Sequence, residues 1–299
     1  VRDVPEGSKY FKPRNATAME VTSKGDLWLL LVMKVPLYLA LGALAWRLKN
    51  VDIFSEATTL VVYAGLATLY AYDAMLAVRA NRSVFASEVP EFQRYKFKQV
   101  AILNILYFAT FGSELAVVSM LPLFFADAFG LSAVVAGMVA SAYAFMNLMS
   151  RPGGGLLSDR FGRKSTLLIL TGGLAVGYAL MGIVDSSWPV WLAVVAAMIC
   201  SFFVQAGEGA VFAVVPLIKR SLTGQIAGMT GAYGNVGAVI YLIVYSVVDA
   251  STFFMVIAGT AVIGFIALLL LEEPTGEIAE VDEDGSVTMI QVGRTPQSA

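Results

Sequence analysis

RPGGGLLSDRFGRK, residues 151–164, stands between two apolar segments that are each long enough to span a bilayer. Asp159, Arg160, Arg163 and Lys164 crowd beside a run of three glycines, unusual punctuation between membrane helices. Arg151 heads the stretch and closes an apolar helix instead of sitting in the loop proper. A cation at that depth is costly and usually has a function. Loop and arginine together point to a transporter, and the arginine to an anion.

Composition narrows the rest. Of 299 residues 58% are hydrophobic and only 14% charged, with a mean hydropathy of +0.75. Soluble domains carry about a quarter charged residues and show their apolar positions as stripes rather than unbroken runs. A net charge of −2 gives no reason to expect nucleic acid or an acidic partner. One cysteine, Cys200, excludes a disulfide framework or a cysteine metal cluster within the chain. With no histidine at all, bis-histidine haem sites, histidine zinc sites and a Ser–His–Asp triad drop out. No enzyme, cofactor or metal site is expected. Starting at Val1 rather than Met, the chain reads as a fragment or processed piece.

Runs of about 20 apolar residues give eight predicted spans, near 27–47, 55–78, 100–126, 131–152, 165–184, 189–215, 225–248 and 252–271. Lys and Arg gather in the connector (Arg79, Arg82, Arg94, Lys96, Lys98), in the motif loop and at Lys219–Arg220. The intervening turns at Asp127–Leu131, Asp185–Pro189 and Asp249–Thr252 carry neither. The positive-inside rule then places the basic turns and both chain ends in the cytoplasm of a multi-pass protein of the cytoplasmic membrane. Arg47 and Lys49, at the outer turn of the first pair of spans, run against the rule. Within that pair, Lys34 and Asp73 fall at similar depth: an ion pair is one reading, snorkelling to the interface the other. The tail from Glu272, EEPTGEIAEVDEDGSV, shows no apolar periodicity and is expected to be disordered.

GGLLSDRFGRK resembles the signature loop that follows the second and eighth helices of the major facilitator superfamily. GMTGAYGNVGA, residues 228–238, resembles the glycine-rich signature of its nitrate/nitrite porter family. SFFVQAGEGAVFAVVPLIKR (201–220) and TFGSELAVVSMLP (110–122) are similar to that family's tenth and seventh helices. The resemblance covers residues 100–274 and implies twelve helices in two pseudo-symmetric halves with substrate between them. Only the second half is here. The implied fold is an all-α membrane protein: the C-terminal six-helix half of a major facilitator fold plus an additional N-terminal transmembrane hairpin. Residues 1–26 read as a cytoplasmic linker, with Arg2–Gly7 similar to the loop after the sixth helix. Residues 27–78 form the hairpin, 79–99 a cytoplasmic connector, 100–271 the half and 272–299 an acidic tail. A competing reading makes 27–78 the fifth and sixth helices.

Arg151 lies about eight residues, or roughly 12 Å of helix, from Asp159, which places it inside the bundle. Its planar fork suits two oxygens of nitrate or nitrite better than a lysine would. The resemblance implies that it binds substrate with a second arginine from the absent half; a gate salt bridge or carbonyl pairing is the alternative. Tyr107 and Phe111, four apart on one face, match aromatic positions that sandwich substrate in the family; otherwise they are ordinary packing. Glycines at 228, 231, 234 and 237 make a side-chain-free strip, with Gly234 and Asn235 as substrate-binding candidates, Asn235 as an amide donor. Glu114 and Glu208 are carboxylates at buried depth, where burial favours proton exchange near neutral pH; a fixed pair with Arg151 is the other reading. Gly155, Asp159, Arg160, Gly162 and Arg163 form the expected gating loop, with the Asp159 carboxylate at the positive end of the next helix. Asn147, Gln205 and Tyr143 lie at similar depth without an assigned role.

The expected function is secondary transport of nitrate or nitrite by alternating access, as proton symport or as nitrate/nitrite exchange. The expected partners are the anion, protons, the bilayer and the missing N-terminal half. A chain truly ending at Val1 is expected not to transport. The alternatives are a non-transporting half-permease acting as anion sensor or partner subunit, and a permease for another small anion.

Overall fold

The computed structural model describes residues 17–86, 94–273, 276–281 and 287–292. Among them are eight helical spans long and apolar enough to cross a membrane. The protein is a multi-pass membrane protein. Residues 2–7, compared above with a family loop, lie outside the described part, as does most of the 1–26 linker.

Helices α1 (Lys24–Asn50) and α2 (Glu56–Ala80) form the first hairpin. Each opens on a serine cap: Ser23 accepts from the Asp26 amide and Ser55 from the Thr58 amide, which satisfies helix-end donors left without partners. A short helix α3 (Ser83–Ala86) leads into the connector. α2 buries only Thr59 and Ala77 and otherwise turns apolar side chains outward, as a peripheral membrane helix does. Lys34 resolves in favour of the ion pair: its Nζ donates to both Asp73 oxygens at 2.7 Å, and the Tyr38 hydroxyl adds a third bond at 3.2 Å.

Six spans follow. α4 (Phe97–Ala109) and α5 (Phe111–Phe129) make one span interrupted at Thr110. α6 (Ala133–Phe145) and α7 (Asn147–Phe161) make the next, interrupted at Met146. α8 (Arg163–Gly182), α9 (Val190–Ile218), a 3-10 turn Arg220–Leu222, α10 (Thr223–Tyr245) and α11 (Ala250–Leu269) complete the bundle. α4 is almost wholly buried, wedged among α10, α11 and α1. α9 packs on both α7 and α8, and α11 covers the outer side of α8.

Two expectations are corrected. The motif expected as a glycine-rich loop is helix as far as Phe161, glycines included. Gly154 lies against the Ala206 backbone, and Gly209 against the Arg151 carbonyl, so α7 and α9 touch main chain to main chain. Glycine there permits close approach, which outweighs its poor helix propensity. The chain breaks only at Gly162, with φ 97°, a conformation other residues rarely adopt. The tail, expected to be disordered, holds two antiparallel strands, β1 (Gly276–Val281) and β2 (Val287–Val292), with Val281 opposite Val287. β-branched Ile278, Val281, Val287, Thr288, Ile290 and Val292 favour strand, and the acidic DEDGS between them hides that pattern in a composition reading.

Candidate functional site

Arg151 enters from the first turns of α7, just past the Met146 break, and its guanidinium meets three kinds of partner. It is ion-paired with Glu208 of α9 and lies 3.9 Å from the Glu114 carboxylate of α5. One NH2 donates to the Tyr107 hydroxyl at 3.2 Å. Its Cζ sits 5.4 Å from the centre of the Phe111 ring, within cation–π range. Glu208 is fully buried and Glu114 nearly so, whereas the Arg151 side chain is 36% exposed. The cation therefore keeps one open side.

The aromatic wall is built across the Thr110 interruption. Tyr107 and Phe111 stack at 5.1 Å with 9° between their planes, and Phe212 of α9 meets Tyr107 edge-on at 4.9 Å. Gly234 lies beneath them. A Cβ there would come within 2.5 Å of Phe111 and 2.8 Å of Tyr107, so only glycine lets α10 approach the rings. Gly237 does the same one turn on, against the Phe108 carbonyl and Gly112.

Behind the arginine the Glu114 carboxylate is held by amides. Asn147 Nδ2 donates to Glu114 Oε1 at 2.6 Å, and Gln205 Nε2 donates to the same oxygen at 3.2 Å. Gln205 also donates to the Tyr143 carbonyl, which takes a 2.6 Å bond from Ser201. Tyr143, Tyr178 and Ser113 continue the network through hydroxyls 2.9 Å apart. Such groups satisfy one another where water is excluded.

Of the substrate-binding candidates, Arg151, Tyr107, Phe111 and Gly234 thus come together, and Glu114 and Glu208 join them. Asn235 does not. It is exposed, and its amide donates to Gly231 O in its own helix at 3.0 Å. Gly228 and Gly231 likewise have no other group within 4 Å of a Cβ position. A period of three falls short of the 3.6-residue turn, so the strip winds away from the rings. The structure also brings in Asn147, Tyr143, Gln205 and Phe212, none of which has a role in the sequence reading, and of these Gln205 and Phe212 share α9 with Glu208. Their spacing of −3 and +4 from Glu208 on α9 is a signal that could have found them.

In the motif, Arg163 pairs with Asp159 at 3.1 Å and the Arg160 guanidinium lies 5.7 Å over Phe161. Gly155 sits 3.7 Å from Gly209 O by its Cβ position. The carboxylate at the start of α8 is Glu273, not Asp159: the Arg163 N–H donates to Glu273 Oε1 at 2.6 Å. Beside it, Lys96 and Lys98 contact Glu272 at 2.8 and 3.5 Å. The Lys96 ammonium holds the Glu272 carboxyl below the usual glutamate range.

The family model of the major facilitator superfamily matches residues 103–295. The nitrate/nitrite transporter NrtP of Picosynechococcus sp. is 46% identical over 304 residues, covering 95% of this chain and 57% of that relative. Its namesake in Nostoc punctiforme is 43% identical, covering 95% and 58%. The chain belongs to the nitrate/nitrite porter family of the major facilitator superfamily. This porter-family chain spans under three fifths of the length of those two relatives. High-affinity nitrate transporter 2.3 of Oryza sativa subsp. japonica is 41% identical to it over 146 residues, 46% of the chain and 28% of the relative. An alignment covering 95% of this porter chain necessarily includes the α1–α2 hairpin, which is therefore shared with the two cyanobacterial relatives.

Proposed function

We propose that this chain forms the C-terminal half, with an inserted hairpin at residues 27–78, of a permease that carries nitrate and nitrite by proton symport. The names of the cyanobacterial relatives support the substrate. The absent six-helix half would close the open side of Arg151 and supply the rest of the anion clamp. The basic turns support a cytoplasmic position for both chain ends, for the 79–99 connector and for the tail.

The observation that carries the reading is the half-open guanidinium, held between an aromatic wall and two buried carboxyls. A flat, weakly hydrated anion can lie on Tyr107 and Phe111 and take two N–H donors of Arg151. Glu208 already occupies that cation. Anion and carboxylate compete for it, and a carboxylate displaced in a buried site would be an unpaired charge, which is expensive. Taking up a proton removes the cost. One negative charge entering is matched by one proton, and Glu208 is the group that accepts it, with Glu114 close by on the same nitrogen.

In proteoliposomes with the complete permease, an inward proton gradient is expected to drive nitrate above its external level. Glu208→Gln is expected to keep nitrate/nitrite counterflow and to lose gradient-driven accumulation. Undiminished accumulation by Glu208→Gln would sink the coupling role. Uptake by the wild type that ignores the proton gradient would favour exchange.

A further inference from the structure

The α1–α2 hairpin lies outside the six-span half, yet it is fastened to that half at three heights. At one end Asp26 of α1 accepts from the Phe97 amide of α4 at 3.0 Å. At the other end Arg47 Nε donates to the Ser246 hydroxyl at 2.9 Å. Midway, the buried Tyr233 of α10 donates its hydroxyl to the Met33 carbonyl of α1 at 2.5 Å. Pro36 has no N–H for the Val32 carbonyl, which loosens this turn of α1, and a carbonyl has a second lone pair to offer.

Tyr233 is the residue before Gly234. The same short piece of α10 therefore touches the hairpin on one side and the Tyr107–Phe111 pair on the other. Those rings hold Arg151 by a hydroxyl and by a ring face. Gly234 leaves no slack, since its backbone is already at the limit of approach to both rings. Pressure on α10 is passed directly to the aromatic wall.

We infer that the hairpin is a buttress of the anion site and that Tyr233 is the positioning residue through which it acts. The Tyr233–Met33 bond sets how far α10 stands from the hairpin, hence how closely Gly234 seats the rings and how Arg151 is presented. The inference rests on the proposal that Arg151 binds the transported anion. Tyr233 itself does not touch the anion.

The test uses the full-length permease with Tyr233→Phe, compared with Tyr241→Phe on the same helix. Tyr241 loses an equivalent hydroxyl bond, to Thr260 of α11, two turns beyond Gly234, where its own ring stays packed on Phe108. Tyr233→Phe is expected to raise the nitrate KM about two- to tenfold, the size of one neutral hydrogen bond, with kcat within about twofold. Tyr241→Phe is expected to leave KM unchanged. An unchanged KM in Tyr233→Phe, an equal rise in both variants, or a fall in kcat alone overturns the inference. Hydrogen exchange of the amides at residues 107–111 gives a readout that needs no transport. Tyr233→Phe is expected to accelerate it and Tyr241→Phe is not; equal exchange in the two overturns the buttress. A wild type that takes up neither nitrate nor nitrite would overturn the functional reading instead, and the exchange result would still decide on the buttress.

Discussion

Arg151 is held by one hydroxyl, one ring face and one carboxylate, and each contact uses a different property of the guanidinium: its donors, its flat face, its charge. An ammonium reproduces only the last of these. In the full-length permease Arg151→Lys is therefore expected to raise the nitrate KM by about ten- to a hundredfold, the loss of one charge-assisted bond. Uptake of labelled nitrate would measure it, and an unaltered KM would remove Arg151 from the site. Gly234→Ala sets a methyl group against two rings that cannot both retreat. Overpacking of this kind costs about 1–3 kcal/mol, and thermal unfolding in detergent should show it as a lower Tm. Gly137→Ala, with nothing within 4 Å of its Cβ position, is the matched control and should leave Tm unchanged or raised.

At the scale of the element, the α7–α9 crossing depends on two glycines that meet backbone. Gly209→Ala would overlap the Arg151 carbonyl, so it is expected to lower Tm by more than Gly234→Ala does; a milder loss would mean that the helices can part. The spans themselves were legible because an unbroken apolar run of bilayer length has few other uses. Their interruptions at Thr110 and Met146 were not, since neither position carries glycine or proline. Helix through Pro152, Gly153, Gly154 and Gly155 was misread for the opposite reason: these residues break helices in isolation, and here close packing overrides propensity. In the site, depth and spacing pointed to Arg151, Glu114 and Glu208, and the family resemblance added Tyr107 and Phe111. Asn235 was misplaced because one residue along a helix is a turn of about 100°, enough to carry it from beside Gly234 to an exposed face.

Across the whole molecule, the end of α11 is tied to the beginnings of α4 and α8 by adjacent glutamates, Glu272 on Lys96 and Lys98, and Glu273 on the Arg163 amide. A carboxyl held below its ordinary pKa contributes its bond fully above about pH 4.3 and loses it as the pH falls through the lowered value. The Glu272 contact is thus expected to be insensitive to pH between 8 and 5.5 but, being exposed, to weaken in salt. Limited proteolysis of the tail should accelerate at high ionic strength and not on mild acidification. The crossing of α7 and α9 has a larger consequence. Arg151 and Glu208 ride on helices whose main chains are in contact, so a movement that shifts α7 and α9 as one body carries the cation and its counter-charge together. In the proposed transport cycle the two would travel as one fixture. Under the proposed symport, whether the arginine faced the carboxylate or the anion would be decided by a side-chain torsion and a single proton, a choice made on a rigid mount.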